Sequence, residues 1–473
     1  MNQYKRLLGN TLIFTIGTFS SKLLVFFMMR FYTGILSPDE FGIADLITKT
    51  TNILYPIVSV SIGQAVIRYG LERSTDKPRV FTTGITTILC GFIISIPFHP
   101  IFSVIRLTTS TGQSMTMEAY TGLIYLYVLT ACLQNCCSQF IRSQGMVKLY
   151  AIDGIFRTAT TIGFNILYLA VFEWSIFGYV FSVICSDALS TVCLFFIARL
   201  WRYIRPRSLT RAGFRSMITY ALPLVPAQIL VFLIGYIGQF ILANMASTAV
   251  SGLYSAAYRI PTMITLVASI FIDAWQLSSI NDNTRWQQIA FFSNVGNMFA
   301  SIVLLIASGA IMCSKLAISI LTDPDYFSAW TYVPILALSA AFSCLSSFQN
   351  SIYTLEKKTF QSFLSTFFTA IINIGLNLLL IPRMAGMGAA VSALVSYAFL
   401  FLYRAADTRR FLAVRWKRRR LGITCAITFV QAILMLLEPP LWLVWQLLLF
   451  GCVLLLNGRA LLMGVKKLVH RGA

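Results

Sequence analysis

Long apolar runs cover almost the whole chain, and they constrain its fold more than any other feature. About 20 consecutive apolar residues are enough to cross a bilayer as a helix. The 473 residues are 57% hydrophobic and only 11% charged, whereas soluble domains carry roughly 25% charged residues. The sequence therefore predicts an all-α integral membrane protein with about 14 transmembrane helices. The runs lie at about 9–36, 41–69, 80–106, 118–142, 149–172, 175–199, 216–243, 248–273, 287–311, 331–355, 359–381, 386–404, 421–437 and 441–463.

The chain also matches itself at a shift of 210 positions, where Gly42 falls on Gly252 and Lys49 falls on Arg259. A constant offset over separated stretches predicts two pseudo-symmetric six-helix lobes around a central cavity, an arrangement that transporters use for alternating access. The predicted parts are an N-terminal lobe at 1–199, a basic connector at 200–215, a C-terminal lobe at 216–404, and a basic loop with two extra helices and a tail at 405–473.

The net charge of +21 would suit a nucleic-acid-binding protein, but the distribution of the charge indicates a membrane topology instead. If both termini are cytoplasmic, nearly all loop cations lie inside, including the runs RLWRYIRPR and RWKRRR. Only Arg106, Lys315 and Arg383 then lie outside. This asymmetry follows the positive-inside rule. It predicts a multi-pass protein with cytoplasmic termini that contacts anionic membrane lipids and has no nucleic-acid partner.

Motifs for covalent chemistry and metal binding are missing from the sequence. The ten cysteines and two histidines show neither a disulfide framework nor metal-ligand spacing. No G-x-x-x-x-G-K-[ST], H-E-x-x-H or G-x-S-x-G motif occurs. The longest outer loops, about 107–117 and 313–330, are short for a polysaccharide polymerase or an acyltransferase. We therefore expect a protein that is not an enzyme, has no cofactor or metal, and uses an ion, voltage or substrate gradient.

Several cations lie inside the predicted spans, where a charge costs about 2.5–3.5 kcal/mol at the bilayer centre. Such residues should face an aqueous cavity or be paired. Two facing cations, Lys49 and Arg259, would suit a substrate with paired negative charges such as a pyrophosphate. Lys22 near mid-membrane belongs to the same expectation, and its presence in the first run argues against a cleavable signal peptide. Arg30 is a further candidate, although it can also reach the headgroups.

Acidic residues near these cations leave alternatives open. Asp45 precedes Lys49 by four residues, so an ion pair along the helix can neutralise Lys49. The same spacing favours a pair between Asp153 and Arg157. Asp187, in the middle of the sixth span, can relay protons or pair with a lysine.

Asn373 and Asn377 are four residues apart in the eleventh span and share one face of the helix. Their side-chain oxygens can bind Na⁺, because hard cations prefer oxygen ligands. The alternative is hydrogen bonding between helices, which is common for amides in membrane bundles.

Five stretches resemble the polysaccharide-exporter flippases of the Wzx type. The resemblance covers essentially the whole chain and extends to the superfamily of multidrug-and-toxin extruders and lipid-linked peptidoglycan-precursor flippases. It implies a V-shaped pair of lobes that moves a polyprenyl-pyrophosphate-linked oligosaccharide from the cytoplasmic to the outer leaflet of the bacterial plasma membrane. The stretches are LSPDEFGIADL, ALPLVPAQ, SGLYSAAYRI, EKKT and NIGLNLLLIPRMAGMGAA.

The resemblance also implies roles for individual residues. The AYRIP stretch is similar to an arginine motif of the precursor flippases, so Arg259 is expected to hold the pyrophosphate together with Lys22, Arg30 and Lys49. In those flippases the eleventh span carries a cation site, which corresponds here to Asn373 and Asn377, with an asparagine at 377 where an acid can occur.

Na⁺ or H⁺ coupling is therefore expected, with Asp187 as a further candidate, and so is functional association with glycosyltransferases and a polysaccharide polymerase. The second candidate function is a cation-coupled drug antiporter of the same fold, which would require acidic rather than basic groups in its cavity.

Overall fold

The structure is a computed structural model that describes residues 26–72, 75–279, 285–356 and 358–471. Within these ranges the chain is helical apart from loops and one two-stranded antiparallel hairpin, β1 (Arg106–Thr108) and β2 (Ser114–Thr116). The helices are α1 (26–33), α2 (Pro38–Val58), α3 (Ile62–Leu71), α4 (Lys77–Ser95), α5 (Ile101–Val104), α6 (Thr121–Ser143), α7 (Val147–Asn165), α8 (Ser175–Ile197), α9 (Arg211–Ala221), α10 (Leu224–Met245), α11 (Thr248–Ser279), α12 (Arg285–Met312), α13 (Ser314–Leu321), α14 (Val333–Leu355), α15 (Thr359–Asp407), α16 (Arg418–Leu437) and α17 (Trp442–Arg471).

The helices follow the predicted apolar runs. In the described ranges, nine helical segments are long and apolar enough to cross a membrane, or ten if the bent pair α2–α3 counts as one span. Each predicted run overlaps a helix, but the run 80–106 continues past the end of α4 into α5 and β1, and the part of the first run before residue 26 lies outside the described residues. The prediction of an all-α membrane protein with about 14 helices is confirmed.

The contacts divide the chain into two compact units, Met1–Gly252 and Leu253–Ala473. In the first unit, α6 packs against α2, α3 and α8, and α7 packs against α8. In the second unit, α14 packs against α12 and α15, and α12 also contacts α16 and α17. The predicted lobes at 1–199 and 216–404, with the connector 200–215 and the segment 405–473 outside them, stay a prediction.

The start of α2 is determined by its own sequence. Ser37 and Glu40 form a capping box, in which the Ser37 amide donates to Glu40 Oε2 at 2.9 Å and the Glu40 amide donates to Ser37 Oγ at 3.4 Å. Pro38 occupies the first turn, where its missing N–H leaves no helical hydrogen bond unmade. The other Glu40 oxygen accepts from Ser175 Oγ at 2.5 Å, which ties this helix start to the start of α8.

Two predicted spans are interrupted in the structure. The axis bends by 54° between α2 and α3, where Val60 and Ser61 have φ values of 51° and 52°. A second break separates α9 from α10 at Leu222 and Pro223. Backbone groups freed at such breaks must find partners within the protein, because lipid offers none.

The long segment α15 contains two helices that fold back on each other at Ala385, where φ is 45° and ψ is −126°. Asn373 and Ser396 are 23 residues apart, yet Asn373 Nδ2 donates to Ser396 Oγ at 3.1 Å. A straight helix would separate them by roughly 34 Å. A Cβ atom at Gly388 would lie 2.5 Å from the carbonyl oxygen of Leu380, so the return helix begins in direct contact with the end of the first.

The starts of α2 and α11 touch through glycine. A Cβ atom at Gly42 would lie 2.1 Å from the carbonyl oxygen of Thr248, and one at Gly252 would lie 2.0 Å from the carbonyl oxygen of Pro38. Both pairs of positions, 38 with 248 and 42 with 252, are separated by 210 residues. The contact is therefore reciprocal, and its paired positions are separated by the shift at which the sequence matches itself.

We expect Gly42→Ala and Gly252→Ala each to destabilise the protein by about 2 kcal/mol or more, because backbone atoms that cannot rotate away occupy the space of the new methyl group. The measurement is the thermal unfolding temperature of the purified protein in detergent. Gly154→Ala is the matched control, since nothing lies within 4 Å of its Cβ position. Unchanged unfolding temperatures for both interface variants would contradict the close contact.

Candidate substrate and ion sites

The structure describes three of the four predicted pyrophosphate-binding cations, which lie on three different helices. Lys22 lies outside the described residues. Arg30 lies on α1 with an exposed side chain. Arg259 lies on α11 with a half-buried side chain, two residues before Pro261, whose ring removes one helical hydrogen bond. The roles of these residues in substrate binding stay predictions.

The fourth cation, Lys49, is buried where α2 packs against α10, with only 8% of its surface exposed. Its ammonium group donates to the carboxylate of Asp45 and to the side-chain oxygen of Gln239. It also lies 5.4 Å from the centre of the Tyr236 ring. The ion pair with Asp45 is the one that the spacing allowed, while the role of Lys49 in pyrophosphate binding stays a prediction.

We call this group of four residues, Asp45, Lys49, Tyr236 and Gln239, the lysine cluster. Removing an ammonium ion from water costs several kcal/mol unless charges and hydrogen bonds replace the water. Here a carboxylate, an amide oxygen and an aromatic face supply that replacement. The cluster therefore places one acid and one base side by side within a membrane-spanning part of the protein. Gln239 was not predicted, although a glutamine deep in the apolar run 216–243 was a usable signal.

The predicted pair of Asp153 with Arg157 is wrong. Arg157 Nε forms an ion pair with the carboxylate of Asp187 on α8 instead. The Asp153 carboxylate accepts from Gln134 Nε2 at 3.0 Å and from Ser190 Oγ at 2.6 Å. The expectation that Asp187 pairs with a lysine is also wrong, because its partner is an arginine.

The packing of α7 against α8 explains this exchange of partners. Asp187 is fully buried, whereas 39% of the Arg157 side chain is exposed. A fully desolvated carboxylate needs a counter-charge more than Asp153 does, because two neutral donors already bond to Asp153. An ion pair across helices therefore prevails over one along a helix. The spacing of residues in the sequence can predict only an ion pair along one helix.

The two asparagines lie inside the folded-back segment α15, and both are about 1% exposed. Asn373 bonds across to Ser396, which is the hydrogen bonding between helices considered as the alternative. Asn377 Nδ2 donates to the Asn373 backbone oxygen at 2.8 Å and to Asn373 Oδ1 at 3.0 Å. Within the described residues, the buried Asn377 Oδ1 has no hydrogen-bond partner.

That arrangement fits a monovalent cation in part. The unpartnered Asn377 Oδ1 and the second lone pair of Asn373 Oδ1 are two neighbouring oxygen acceptors. The groups around these two oxygens are neutral amides and hydroxyls. They compensate the charge of a bound cation less well than carboxylates do. The ion site stays a prediction. Among the described residues there is no group of three or more His, Cys, Asp and Glu side chains that could hold a metal ion.

Comparisons with known proteins identify the fold. A family model described as polysaccharide biosynthesis protein matches residues 7–275. The structure of lipid II flippase MurJ in an inward closed conformation matches with a TM-score of 0.67 at 13% identity, over 97% of this chain and 100% of that one. An inward-facing multidrug resistance MATE family transporter of the MOP superfamily matches with a TM-score of 0.64 at 11% identity, over 83% of this chain and 95% of that one.

A third structure, a MOP superfamily transporter from Pyrococcus furiosus with a binding pocket described as having reverse polarity, matches with a TM-score of 0.53 at 14% identity. It covers 85% of this chain and 95% of its own. At these identities the likeness shows a shared fold. A comparison with curated proteins gives no match.

We expect Asp187→Asn to destabilise the protein by about 2 kcal/mol, because it leaves the Arg157 guanidinium facing a neutral amide. This is less than the about 3–5 kcal/mol of a fully buried pair, since the arginine is partly solvated. The double variant Arg157→Gln/Asp187→Asn should recover much of this loss. Thermal unfolding in detergent measures both, and a double variant no more stable than Asp187→Asn would argue against the pair.

Proposed function

Because this chain belongs to the family of polysaccharide biosynthesis proteins, we propose that it is a flippase for a polyprenyl-pyrophosphate-linked oligosaccharide. It moves the saccharide from the cytoplasmic to the outer leaflet of the bacterial plasma membrane by alternating access. The substrate is not altered chemically, so the protein is a transporter rather than an enzyme. The family match confirms the resemblance carried by the sequence motifs. The fold shared with a lipid II flippase supports a lipid-linked substrate.

The observation that carries this proposal is the buried ammonium group of Lys49. A cation held inside membrane-spanning helices is costly, so it indicates a function that needs positive charge at that depth. During transport, a phosphate of the substrate replaces Asp45 as the partner of Lys49. The exchange substitutes one anion for another, so the ammonium group is never left without a counter-charge. The Tyr236 ring and Gln239 hold the ammonium group in place while its anionic partner changes.

The other cations contact the same anionic head at different stages. Arg30 on the exposed face of α1, Lys22, and Arg259 on α11 each offer the pyrophosphate a partner as the head crosses the membrane. Arginine suits this task because its planar group binds two phosphate oxygens at once. Glycosyltransferases that build the saccharide and a polymerase that extends it outside are the expected functional partners.

We assign the energy source to cation coupling. The Asn377 oxygen without a partner supports Na⁺ binding next to Asn373. Asp187 is the candidate for H⁺ coupling, because protonation of its carboxylate would release Arg157 from their ion pair.

A cation-coupled drug antiporter is the second candidate, and one observation favours it. The lysine cluster contains a buried carboxylate, Asp45, to which a cationic drug can bind by displacing Lys49. The two functions therefore use opposite members of the same ion pair. Lys49 is essential for a flippase, and Asp45 is essential for a drug antiporter.

We expect Lys49→Met to lower the rate of flipping at least about tenfold, since the loss of one charged partner costs well over 1.4 kcal/mol. Lys49→Arg should keep part of the rate, and Asp45→Asn should keep at least half of it. The measurement uses proteoliposomes that contain a fluorescent polyprenyl-pyrophosphate oligosaccharide, with an impermeant quencher added outside. Rates are normalised to the folded protein recovered.

Lys148→Met is the matched control, because it removes the same charge from an exposed position outside the apolar runs. Normal flipping by Lys49→Met would remove Lys49 from the mechanism, and wild-type protein that flips no oligosaccharide would overturn the flippase assignment. Loss of proton-driven efflux of a cationic dye in Asp45→Asn, but not in Lys49→Met, would establish the antiporter instead.

If Na⁺ drives transport through α15, Asn377→Ala should raise the Na⁺ concentration for half-maximal flipping by about tenfold, the effect of losing about 1.4 kcal/mol of ligand energy. Asn377→Asp should lower that concentration, because a carboxylate compensates the bound charge. Flipping is measured against Na⁺ with choline keeping the ionic strength constant. Wild-type flipping that is independent of Na⁺ would remove this site from the coupling mechanism.

A further inference from the structure

An open cavity of about 820 Å³ lies in the first unit, between α3 and α9. Its position is at the end of the membrane-spanning region that the distribution of Lys and Arg predicts to be cytoplasmic. One face of α9 supplies most of its wall, while Met217 and Ala221 on the opposite face are buried in the protein. The wall residues are Arg211, Ala212, Arg215, Ser216, Thr219 and Tyr220 of α9, with Tyr69 of α3.

Two arginines on this wall repel each other in the protein as it stands. Arg211 and Arg215 are four residues apart, so their side chains are neighbours on the same face of α9, and like charges at this spacing destabilise a helix. Across the ranges described by the structure, neither forms an ion pair with an acidic side chain. An anion bound between them would remove the repulsion.

The start of α9 adds to the positive potential. Its first turn contains Arg211 and no acidic residue, although the N-terminus of a helix favours negative charge. Arg79 packs against the same helix, with its Cδ 2.8 Å from a Cβ position at Gly213. The Arg79 Nε is buried and, within the described residues, has no hydrogen-bond partner. Three guanidinium groups thus lie on or against this short helix, and among the described residues none of them forms an ion pair with a carboxylate.

Contacts between α3 and α9 hold the cavity in shape. The hydroxyl groups of Tyr69 and Ser216 share a hydrogen bond of 2.8 Å. The guanidinium of Arg68 lies 5.0 Å from the centre of the Tyr220 ring, and the Tyr69 and Tyr220 rings meet edge to face at 6.2 Å. These contacts fix the two helices relative to each other, and they place hydroxyl donors beside the arginines.

We propose that this cavity binds the phosphate of a lipid headgroup, with Arg211 and Arg215 as its principal ligands. Phosphate presents several oxygens that arginine binds in pairs. The cavity is larger than a phosphate ion, and its aromatic rim accepts the carbon atoms next to the phosphate. Lipid phosphates lie at the cytoplasmic boundary of the membrane, which is where the charge distribution predicts this cavity to be. Two molecules carry this chemistry, a bulk anionic phospholipid and the lipid-linked pyrophosphate, and only the second depends on the proposed function.

The test compares two double variants of the full-length protein in detergent. Arg211→Gln/Arg215→Gln removes the two principal ligands. The matched control, Arg205→Gln/Arg207→Gln, removes the same charge from exposed positions of the same basic connector, outside the cavity wall. The probes are short-chain phosphatidylglycerol, short-chain phosphatidylcholine and a polyprenyl pyrophosphate. Retained lipid is counted by native mass spectrometry, and thermal unfolding confirms that each variant is folded.

Wild type and the control variant should retain an anionic probe at least tenfold more tightly than Arg211→Gln/Arg215→Gln does. Preference for phosphatidylglycerol assigns the cavity to bulk lipid, and preference for the polyprenyl pyrophosphate assigns it to the substrate. Equal affinities in all three proteins, or equal losses in both double variants, would overturn the proposal. The measurement needs no transport, so a failure of the flippase assignment would show separately in the proteoliposomes.

Discussion

The cost of removing charge from water governs the interior of this protein. Lys49, Asp187 and Arg404 are buried charges with compensating partners, and each has at least one of these partners on another helix. Lys49 joins α2 to α10 through Gln239, and Arg157 joins α7 to α8 through Asp187. Arg404 is compensated without an acid: it donates to Ser365 Oγ, the Ser346 backbone oxygen and Thr366 Oγ1 at 3.0–3.1 Å. Ionic groups therefore specify contacts that the similar apolar faces of many helices would leave ambiguous.

Hydropathy predicted the helices because it is a local property. Crossing lipid forces the backbone to satisfy its own hydrogen bonds, so an apolar run of sufficient length becomes a helix whatever its neighbours are. The pair of Asp45 with Lys49 was accessible for the same reason, since four residues on one helix define a fixed distance. The partner of Arg157 was not, because it depends on which face of α8 meets α7. The contact of Gln239 with Lys49 likewise depends on the packing of α10 against α2, which the sequence does not specify.

The interruptions of the helices show a similar limit. The sequence predicts a turn near Ala385, between two apolar runs. The close packing of the two helices at this turn depends on the contact of Gly388 with the carbonyl oxygen of Leu380. The hydrogen bond from Asn373 to Ser396 then follows from symmetry about that turn, because both residues lie about equally far from it. The hydrogen-bond partner of such a polar residue is thus determined by where the chain folds back. Its own sequence neighbourhood carries no information about that partner.

The contact of Gly42 with Gly252 obeys the spacing of the sequence repeat. In a chain of half this length, the two positions would be one residue, and that glycine would touch its own copy across the axis of a symmetric dimer. Such an interface tolerates no side chain, because any atom added would appear on both sides and collide with itself. In this chain the two positions are separate residues that can change independently, yet both carry only the hydrogen atom that so close a contact allows.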